Sequence, residues 1–263
     1  MAGILENREK WNSYHWSRNG DEWSEPWGDS NQIWWGHLFP RIGAFLPTAS
    51  ILEIAPGFGR WTRYLKQFTD NYIGVDVAES AVNACREQFP GLRFFHNDGS
   101  SLSMAEDRSI SFCFSYDSLV HVNPNVMRGY ISELKRILTD DGAAFLHHSN
   151  LGAYKQKLAS RKFCARLVPS WRLRKSLKLI PETHWRDPEV TAELVRGYCE
   201  SAGLFCRQEL ISRIDTDGLM VDCFTLITRR PVYYALFENS AFGIAADTLR
   251  RCSELYRPPA FPE

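Results

Sequence analysis

The sequence lacks several features that would place it in a specialised class of proteins. Its seven cysteines include no Cys-x-x-Cys pair, which argues against a disulfide framework and a zinc site. Basic and acidic residues both number 31, so no excess charge points to nucleic acid. No apolar stretch is long enough to span a membrane, and the start shows no leader-like pattern. We therefore expect a cytoplasmic protein with no nucleic-acid partner and no transmembrane segment.

The most informative stretch that is present covers residues 51–61 and reads Ile-Leu-Glu-Ile-Ala-Pro-Gly-Phe-Gly-Arg-Trp. An apolar run typical of a buried strand, with Glu53 near its end, leads to Gly57 and Gly59 and then to a helical pattern. Glycines at such a turn let the backbone approach a ligand, and the helix N-terminus offers unpaired N–H groups. A tight strand-to-helix turn without a ligand is the alternative explanation.

Further apolar runs follow at regular intervals, with helical patterns between them. The pattern over residues 124–138 begins at Asn123-Pro124, an N-cap followed by proline, and stops at residues 140–142, Asp-Asp-Gly. Residues 187–189, Asp-Pro-Glu, mark the start of a later helix. The second run ends in Asp76, 17 residues after Gly59, where a carboxylate is placed to accept hydrogen bonds from a ribose diol. Later runs end at Asp98-Gly99, at Tyr116-Asp117 and at His147-His148. The alternation predicts an α/β fold with a doubly wound, mostly parallel sheet, although each aspartate alone would also suit a turn or a helix cap.

In this order, the residues resemble the class I S-adenosylmethionine (SAM)-dependent methyltransferases, closely over residues 49–150 and more loosely over 188–230. The resemblance implies a Rossmann-like sheet with one antiparallel strand near its end, and SAM as the cofactor. Ala55 departs from the family, which most often has glycine there, and Thr62 stands where a dinucleotide-binding fingerprint would need its third glycine. The implied cofactor-binding residues are Glu53, Ala55, Gly57, Gly59, Asp76, Val77, Asp98, Gly99 and Tyr116.

Two additions to the core are distinctive in composition. Six of the nine tryptophans lie in the first 35 residues, which predicts an N-terminal aromatic cap over the cofactor cleft, whether for ligand contact or for packing. Between Asn150 and Glu182 there are nine basic residues and no acidic one. This segment predicts a basic lid that binds an anionic group, or else a solvated helical face.

These features predict one methyltransferase domain over residues 1–263. Its parts would be a cap (1–48), a cofactor-binding core (49–150), a basic lid (151–187), the end of the core (188–230) and a C-terminal extension (231–263). The extension is expected to form a helix packed on the sheet or a contact in a homodimer.

Three histidines follow the fourth and fifth predicted strands, at the edge of the sheet that would face the cofactor. Histidine titrates in the range needed to remove a proton from a hydroxyl, so His121, His147 and His148 are the catalytic candidates. Side chains alternate along a strand, so His147 and His148 should lie on opposite faces. A structural role is an equal alternative for each. A magnesium-assisted variant stays open, with Asp117, His121 and His148 as candidate ligands.

The combination of aromatic cap, histidines and basic lid resembles bacterial sugar and polysaccharide O-methyltransferases. The motif typical of nucleic-acid base methylation is absent after the fourth strand, where the chain reads Tyr-Asp-Ser-Leu at 116–119. We expect methyl transfer to a hydroxyl of a sugar, oligosaccharide or glycosylated metabolite, for which an anionic group would suit the lid. The alternatives are transfer to a small carboxylate or amine metabolite, and a non-catalytic cofactor-binding partner subunit.

Overall fold

The computed structural model describes residues 3–24, 29–168, 170, 173, 185–212 and 218–256. In these residues one sheet has the strand order β3-β2-β1-β4-β5-β7-β6-β8. Strand β7 runs antiparallel to both of its neighbours, and every other adjacent pair is parallel. This confirms the predicted mostly parallel sheet with one antiparallel strand. The strands are β1 (Ile51–Ile54), β2 (Tyr72–Asp76), β3 (Arg93–His96), β4 (Ile110–Ser115), β5 (Leu138–Ser149), β6 (Phe205–Ile211), β7 (Asp222–Thr228) and β8 (Leu236–Asn239).

Helices cover both faces of the sheet, as expected for a doubly wound fold. One face packs against α6 and α8, and the other packs against the N-terminal helices and α9. A π-helical turn, Trp34–Leu38, joins α2 to α3. The helices are α1 (Ile4–Ser13), α2 (Ser30–Ile33), α3 (Phe39–Ile42), α4 (Thr62–Leu65), α5 (Glu79–Gln88), α6 (Pro124–Ile137), α7 (Lys155–Leu167), α8 (Ala192–Ser201) and α9 (Phe242–Leu255).

Local capping explains where two of the helices begin. The Asn123 side chain accepts hydrogen bonds from the backbone N–H groups of Asn125 and Val126, so α6 begins at the predicted Asn-Pro signal. The prediction that the next helix starts at residues 187–189 is wrong, because that helix begins at Ala192. There Asp187 caps a turn, and Thr191 supplies the N-cap of α8 by accepting from the Leu194 N–H.

Strand β5 is longer than the sequence indicated. Residues 140–142, Asp-Asp-Gly, were expected only to end a helix, but they lie within the strand. The reason is tertiary, because Leu138 already pairs with Ile110 of β4, across a register shift. Pairing with a neighbouring strand thus overrides the local turn preference of these residues.

The C-terminal extension contributes both a strand and a helix. Strand β8, which the sequence did not indicate, adds an edge to the sheet beside β6. Helix α9 packs on the N-terminal helices, and its Phe242 meets Phe224 of β7 with ring centroids 5.6 Å apart. A homodimer contact by this extension stays a prediction.

The cysteines are all free, in agreement with their spacing. Cys164 on α7 and Cys252 on α9 are exposed, whereas the other five are buried. None of the helices in the described part of the chain is long and apolar enough to cross a membrane.

Candidate active site

A cavity of about 460 Å³ lies at the carboxyl ends of β1, β2 and β4. This is the edge where the strand order reverses between β1 and β4, and open α/β sheets bind ligands at such a point. Two walls enclose it. The wall built by the core, called the floor below, includes Ala55, Gly57, Asp76, Val77, Gly99 and Tyr116. The wall built by the N-terminal segment, called the cap wall, includes Ile4, Trp11, Tyr14, Trp16, Glu22 and Trp23.

Asp76 and the glycine turn form the centre of the floor. The Gly57 N–H donates to Oδ2 of Asp76 at 3.1 Å, and the Ala78 N–H donates to Oδ1 at 2.8 Å. Burial raises the pKa of the Asp76 carboxyl to about 6. A carboxylate offers about four lone-pair sites, so these two bonds leave acceptor capacity for a ligand diol. The backbone therefore fixes the orientation of Asp76 towards the cavity it lines.

The small residues of the floor lie where the cap wall comes closest. A Cβ on Gly57 would stand 2.9 Å from Cη2 of Trp16, and one on Gly99 would stand 2.8 Å from Cγ2 of Ile4. Both glycines also have positive φ angles, +56° and +90°. Ala55 has a φ of 57°, in the left-handed region that favours glycine, which explains why glycine is the common residue at this position.

Three predicted cofactor residues, Glu53, Gly59 and Asp98, do not line this cavity, so their contact with a ligand stays a prediction. Glu53 accepts hydrogen bonds from the hydroxyls of Thr62, at 2.7 Å, and Tyr72 in a buried layer beneath the turn. Burial raises the Glu53 pKa to about 7. Gly59 has a φ of 82° and packs against Phe89.

Asp98 is the third of these residues. Its side chain is exposed and accepts from the backbone N–H groups of Ser100, at 2.8 Å, and Ser101, at 2.7 Å. It shapes the loop that presents Gly99 to the cavity, rather than lining the cavity itself.

Of the three histidines, only His121 lines this cavity. It ends a short 3₁₀ turn after β4, and its Nδ1 lies 3.1 Å from the carbonyl oxygen of Trp185. A carbonyl can only accept, so Nδ1 carries the proton and Nε2 is left as an acceptor in the neutral ring. Burial lowers the His121 pKa to about 4, so the ring is neutral at physiological pH. The Trp11 ring lies 5.5 Å from the His121 ring, centroid to centroid.

His148 does not line the cavity, and its contacts are those of a structural residue, so they lend no support to its predicted catalytic and metal-ligand roles. It is fully buried between the sheet and α8. Both ring nitrogens are engaged, one 2.8 Å from the Ser149 carbonyl and the other 2.7 Å from Oγ1 of Thr225. Side chains alternate along β5, as predicted, so His147 lies on the other face of the strand from His148. In the sheet, His147 is paired with Phe224 of β7.

His147 lies behind the floor instead of lining the cavity, so its predicted role as a catalytic base has no support from its position. Its Nδ1 accepts the backbone N–H of Asp117 at 3.1 Å, and its Nε2 lies 3.7 Å from Oδ1 of Asp222. It borders a separate cavity of about 10 Å³. Asp117 has a φ of 63°, so this hydrogen bond holds a strained residue of the main cavity in place.

A divalent metal ion does not suit the side chains that are present. Among the residues that the structure describes, no three His, Cys, Asp or Glu side chains converge as ligands. The Asp117 carboxylate accepts from the Arg60 guanidinium at 3.2 Å, and both nitrogens of His148 are used elsewhere. The magnesium variant is therefore not supported.

Two buried arginines of the site had no specific signal in the sequence. Arg60 lines the cavity beside the glycine turn and stacks over Trp61 at 4.7 Å. Arg186 also lines the cavity, and its guanidinium pairs with Asp222 through two contacts of 2.6 and 2.9 Å. Burial alone would raise the pKa of Asp222, but the Arg186 charge outweighs it and holds that pKa well below its usual range. Arg186 belongs to the predicted basic lid; residues 169, 171–172 and 174–184 of that lid lie outside the described residues.

Comparison with known proteins gives a consistent result. Residues 51–142 match the sequence profile of a family described as a methyltransferase domain. No curated protein matches the sequence.

Similar solved structures cover most of the chain at low identity. A protein from Pyrococcus horikoshii OT3 shares 15% identity, with a TM-score of 0.53, over 80% of this chain and 99% of that one. A SAM-dependent methyltransferase from Archaeoglobus fulgidus shares 14%, with a TM-score of 0.53, over 78% and 96%. DhpI in complex with SAH shares 12%, with a TM-score of 0.50, over 88% and 98%.

The fold is thus the Rossmann-like fold of methyltransferases. Both the profile match over residues 51–142 and the fold are therefore those of methyltransferases.

Proposed function

We propose that the protein transfers a methyl group from SAM to a hydroxyl of a sugar, oligosaccharide or glycosylated metabolite. The observation that carries this proposal is His121, a neutral ring on the cavity wall whose Nδ1 is anchored to the Trp185 carbonyl and whose Nε2 is free to accept a proton. A hydroxyl acceptor needs such a group, because its proton must leave as the oxygen attacks.

The floor residues fit the cofactor. The Asp76 carboxylate, oriented by backbone N–H groups, would accept hydrogen bonds from the ribose hydroxyls. The cavity volume falls in the range of roughly 300–1,000 Å³ that is usual for small-ligand sites. Bound SAM would supply a methyl group attached to a positively charged sulfur, and the neutral thioether that remains after transfer is a good leaving group.

The remaining chemistry would belong to the chain. The cap wall would hold the acceptor, since flat aromatic faces such as Trp11 and Tyr14 suit the C–H face of a sugar ring. The acceptor oxygen would form a bond to the methyl carbon while the carbon–sulfur bond breaks. Its proton would pass to Nε2 of His121, and the electron pair of the broken bond would neutralise the sulfur.

The test is turnover with labelled SAM and a panel of mono- and oligosaccharides, using wild-type protein and His121→Asn. Asparagine retains a donor for the Trp185 carbonyl but lacks Nε2. We expect kcat to fall by about 10²- to 10⁴-fold, with SAH affinity nearly unchanged. Because the His121 pKa is lowered to about 4, wild-type turnover should stay level from pH 8 to about pH 5 and fall below that. His15→Asn, on an exposed histidine of the cap, is the control.

The same experiment separates the alternatives. Turnover that survives His121→Asn would favour a carboxylate acceptor, which has no proton to lose. Tight SAH binding without methylation of any sugar, carboxylate or amine would indicate a non-catalytic cofactor-binding subunit. Formation of a homodimer stays a prediction.

A further inference from the structure

Glu22 presents an unusual carboxylate on the cap wall. It lies in the 3₁₀ turn Asp21–Trp23, and its Oε2 accepts the backbone N–H groups of Arg18, at 3.1 Å, and Gly20, at 3.0 Å. Its other oxygen, Oε1, is buried and has no hydrogen-bond partner within the described part of the chain. The side chain lines the main cavity.

A buried carboxylate oxygen without a partner costs free energy, so folded proteins rarely retain one without a ligand or a water to bind it. The two backbone donors fix the carboxylate through Oε2, which leaves Oε1 no freedom to turn towards bulk water. The group that completes Glu22 must therefore donate hydrogen bonds, and it is favoured if it carries positive charge.

The neighbouring rings fit a cation as well. Tyr14 and Trp16 both line the cavity, with centroids 5.0 Å apart, and aromatic faces attract ammonium groups. The Glu22 charge also acts on Tyr14, since burial first and Glu22 second raise the Tyr14 pKa. A carboxylate beside aromatic faces therefore offers an ammonium group both a charge-assisted hydrogen bond and cation–π attraction.

The position along the cavity identifies which end of a ligand lies here. Trp16 stacks on Phe58 of the glycine turn at 4.8 Å, and a Cβ on Gly20 would stand 3.4 Å from Cβ of Arg60. Glu22 therefore lies over the glycine turn that follows β1, next to the part of the cavity that Asp76 lines. The indole N–H groups of Trp16 and Trp23 are also buried without partners among the described residues, and they are donors of the kind that a carboxylate needs.

We propose that Oε1 of Glu22 binds a primary ammonium group inside the cavity, and that this is the α-ammonium group of the cofactor. The proposal rests on the proposed function for the presence of SAM. Glu53, an acidic residue that the resemblance implies at the cofactor site, lies beneath the floor and does not line the cavity. An ammonium group on an amino-sugar acceptor is the other source of the same chemistry, and the experiment below distinguishes the two.

The first measurement compares SAH with its deaminated analogue, 5′-S-(3-carboxypropyl)-5′-thioadenosine, by calorimetry. The variant is Glu22→Gln, whose amide oxygen can still accept from Arg18 and Gly20 while its NH₂ group replaces Oε1. We expect SAH binding to weaken at least about 10-fold and analogue binding to change by less than about 3-fold. Glu6→Gln is the matched control, because Glu6 accepts a backbone N–H in the same cap but does not line this cavity.

The second measurement titrates glucosamine and glucose into the protein–SAH complex. Loss of glucosamine binding in Glu22→Gln, with SAH affinity unchanged, would assign the ammonium group to the acceptor. If the variant, folded as judged by thermal unfolding, binds SAH and glucosamine like wild type, the ammonium site is overturned while the methyltransferase proposal stands. If wild-type protein binds neither SAH nor the analogue, the proposed function is overturned and this inference with it.

Discussion

The two walls of the cavity differ in how their polar atoms are satisfied. On the floor, Asp76 already accepts two backbone N–H groups, and Asp117 is paired with Arg60. On the cap wall, Oε1 of Glu22 and the indole N–H groups of Trp16 and Trp23 have no partners among the described residues. The two carboxylates of the floor are therefore oriented by the chain itself, whereas these three atoms of the cap wall would be completed by a ligand.

This difference indicates that the two walls have different roles in ligand binding. Strand ends and a glycine turn set the floor, and such geometry holds a cofactor in the same way whatever the acceptor. The cap wall depends on side chains from a separate segment, so it can differ between proteins that share the floor. The predictions below test the division at the floor, beneath the floor and at the contact between the walls.

The largest effect is expected at the floor itself. Asp76→Ala removes the ribose acceptor and should weaken SAH binding by at least about 100-fold, measured by calorimetry. Asp98→Ala is the matched control, since Asp98 is exposed and does not line the cavity. Its effect should stay below about 5-fold. Equal losses in both variants would mean that ligand binding depends on Asp98, directly or through the Gly99 loop, as much as on Asp76.

The next effect concerns the buried layer beneath the floor. Because burial raises the Glu53 pKa from 4.5 to about 7, its contribution to stability is present at low pH and is lost as pH rises through 7. In Glu53→Gln this loss disappears. The unfolding free energy of the variant relative to wild type should therefore rise by on the order of 2 kcal/mol between pH 5 and pH 8. Glu87→Gln, at an exposed position, is the control in the same denaturant titrations.

A smaller effect probes the contact between the two walls. Gly57→Ala places a methyl group against Trp16 at a positive φ, which should lower the unfolding free energy by about 1–3 kcal/mol. Gly197→Ala adds the same methyl group in α8, where nothing lies within 4 Å, and should raise it by about 0.5–1 kcal/mol. A neutral Gly57→Ala would show that Trp16 does not press on the floor.

The floor could be predicted from the sequence to a large extent. Ala55, Gly57, Asp76, Val77, Gly99 and Tyr116 line the cavity because parallel strand ends meet at one edge, so position along the chain fixes position in space. Position along the chain does not fix the direction in which a side chain points. Glu53 is close to the turn in sequence, but its carboxylate is held beneath the floor by Thr62 and Tyr72.

The cap wall could be predicted only as an aromatic cover. The tryptophans of the N-terminal segment predict an aromatic wall. Whether Oε1 of Glu22 has a hydrogen-bond partner depends on which residues the folded chain brings near it, and the sequence does not show this. Similarly, Arg186 and Asp222 are 36 residues apart, and nothing local marks them as a buried pair. The charge pattern predicts a basic lid, in which side chains of this kind are usually exposed. Arg186, which belongs to that lid, is buried instead.

The distribution of the seven cysteines has a practical consequence. Two thiols, Cys164 and Cys252, are accessible in the folded chain and five are not, so the number of thiols that react with a maleimide reports directly on folding. Every variant above can therefore be checked for native structure by chemical labelling, without adding or removing a residue. A dye on Cys164 would also place a reporter on α7, inside the basic segment, for following ligand binding by fluorescence.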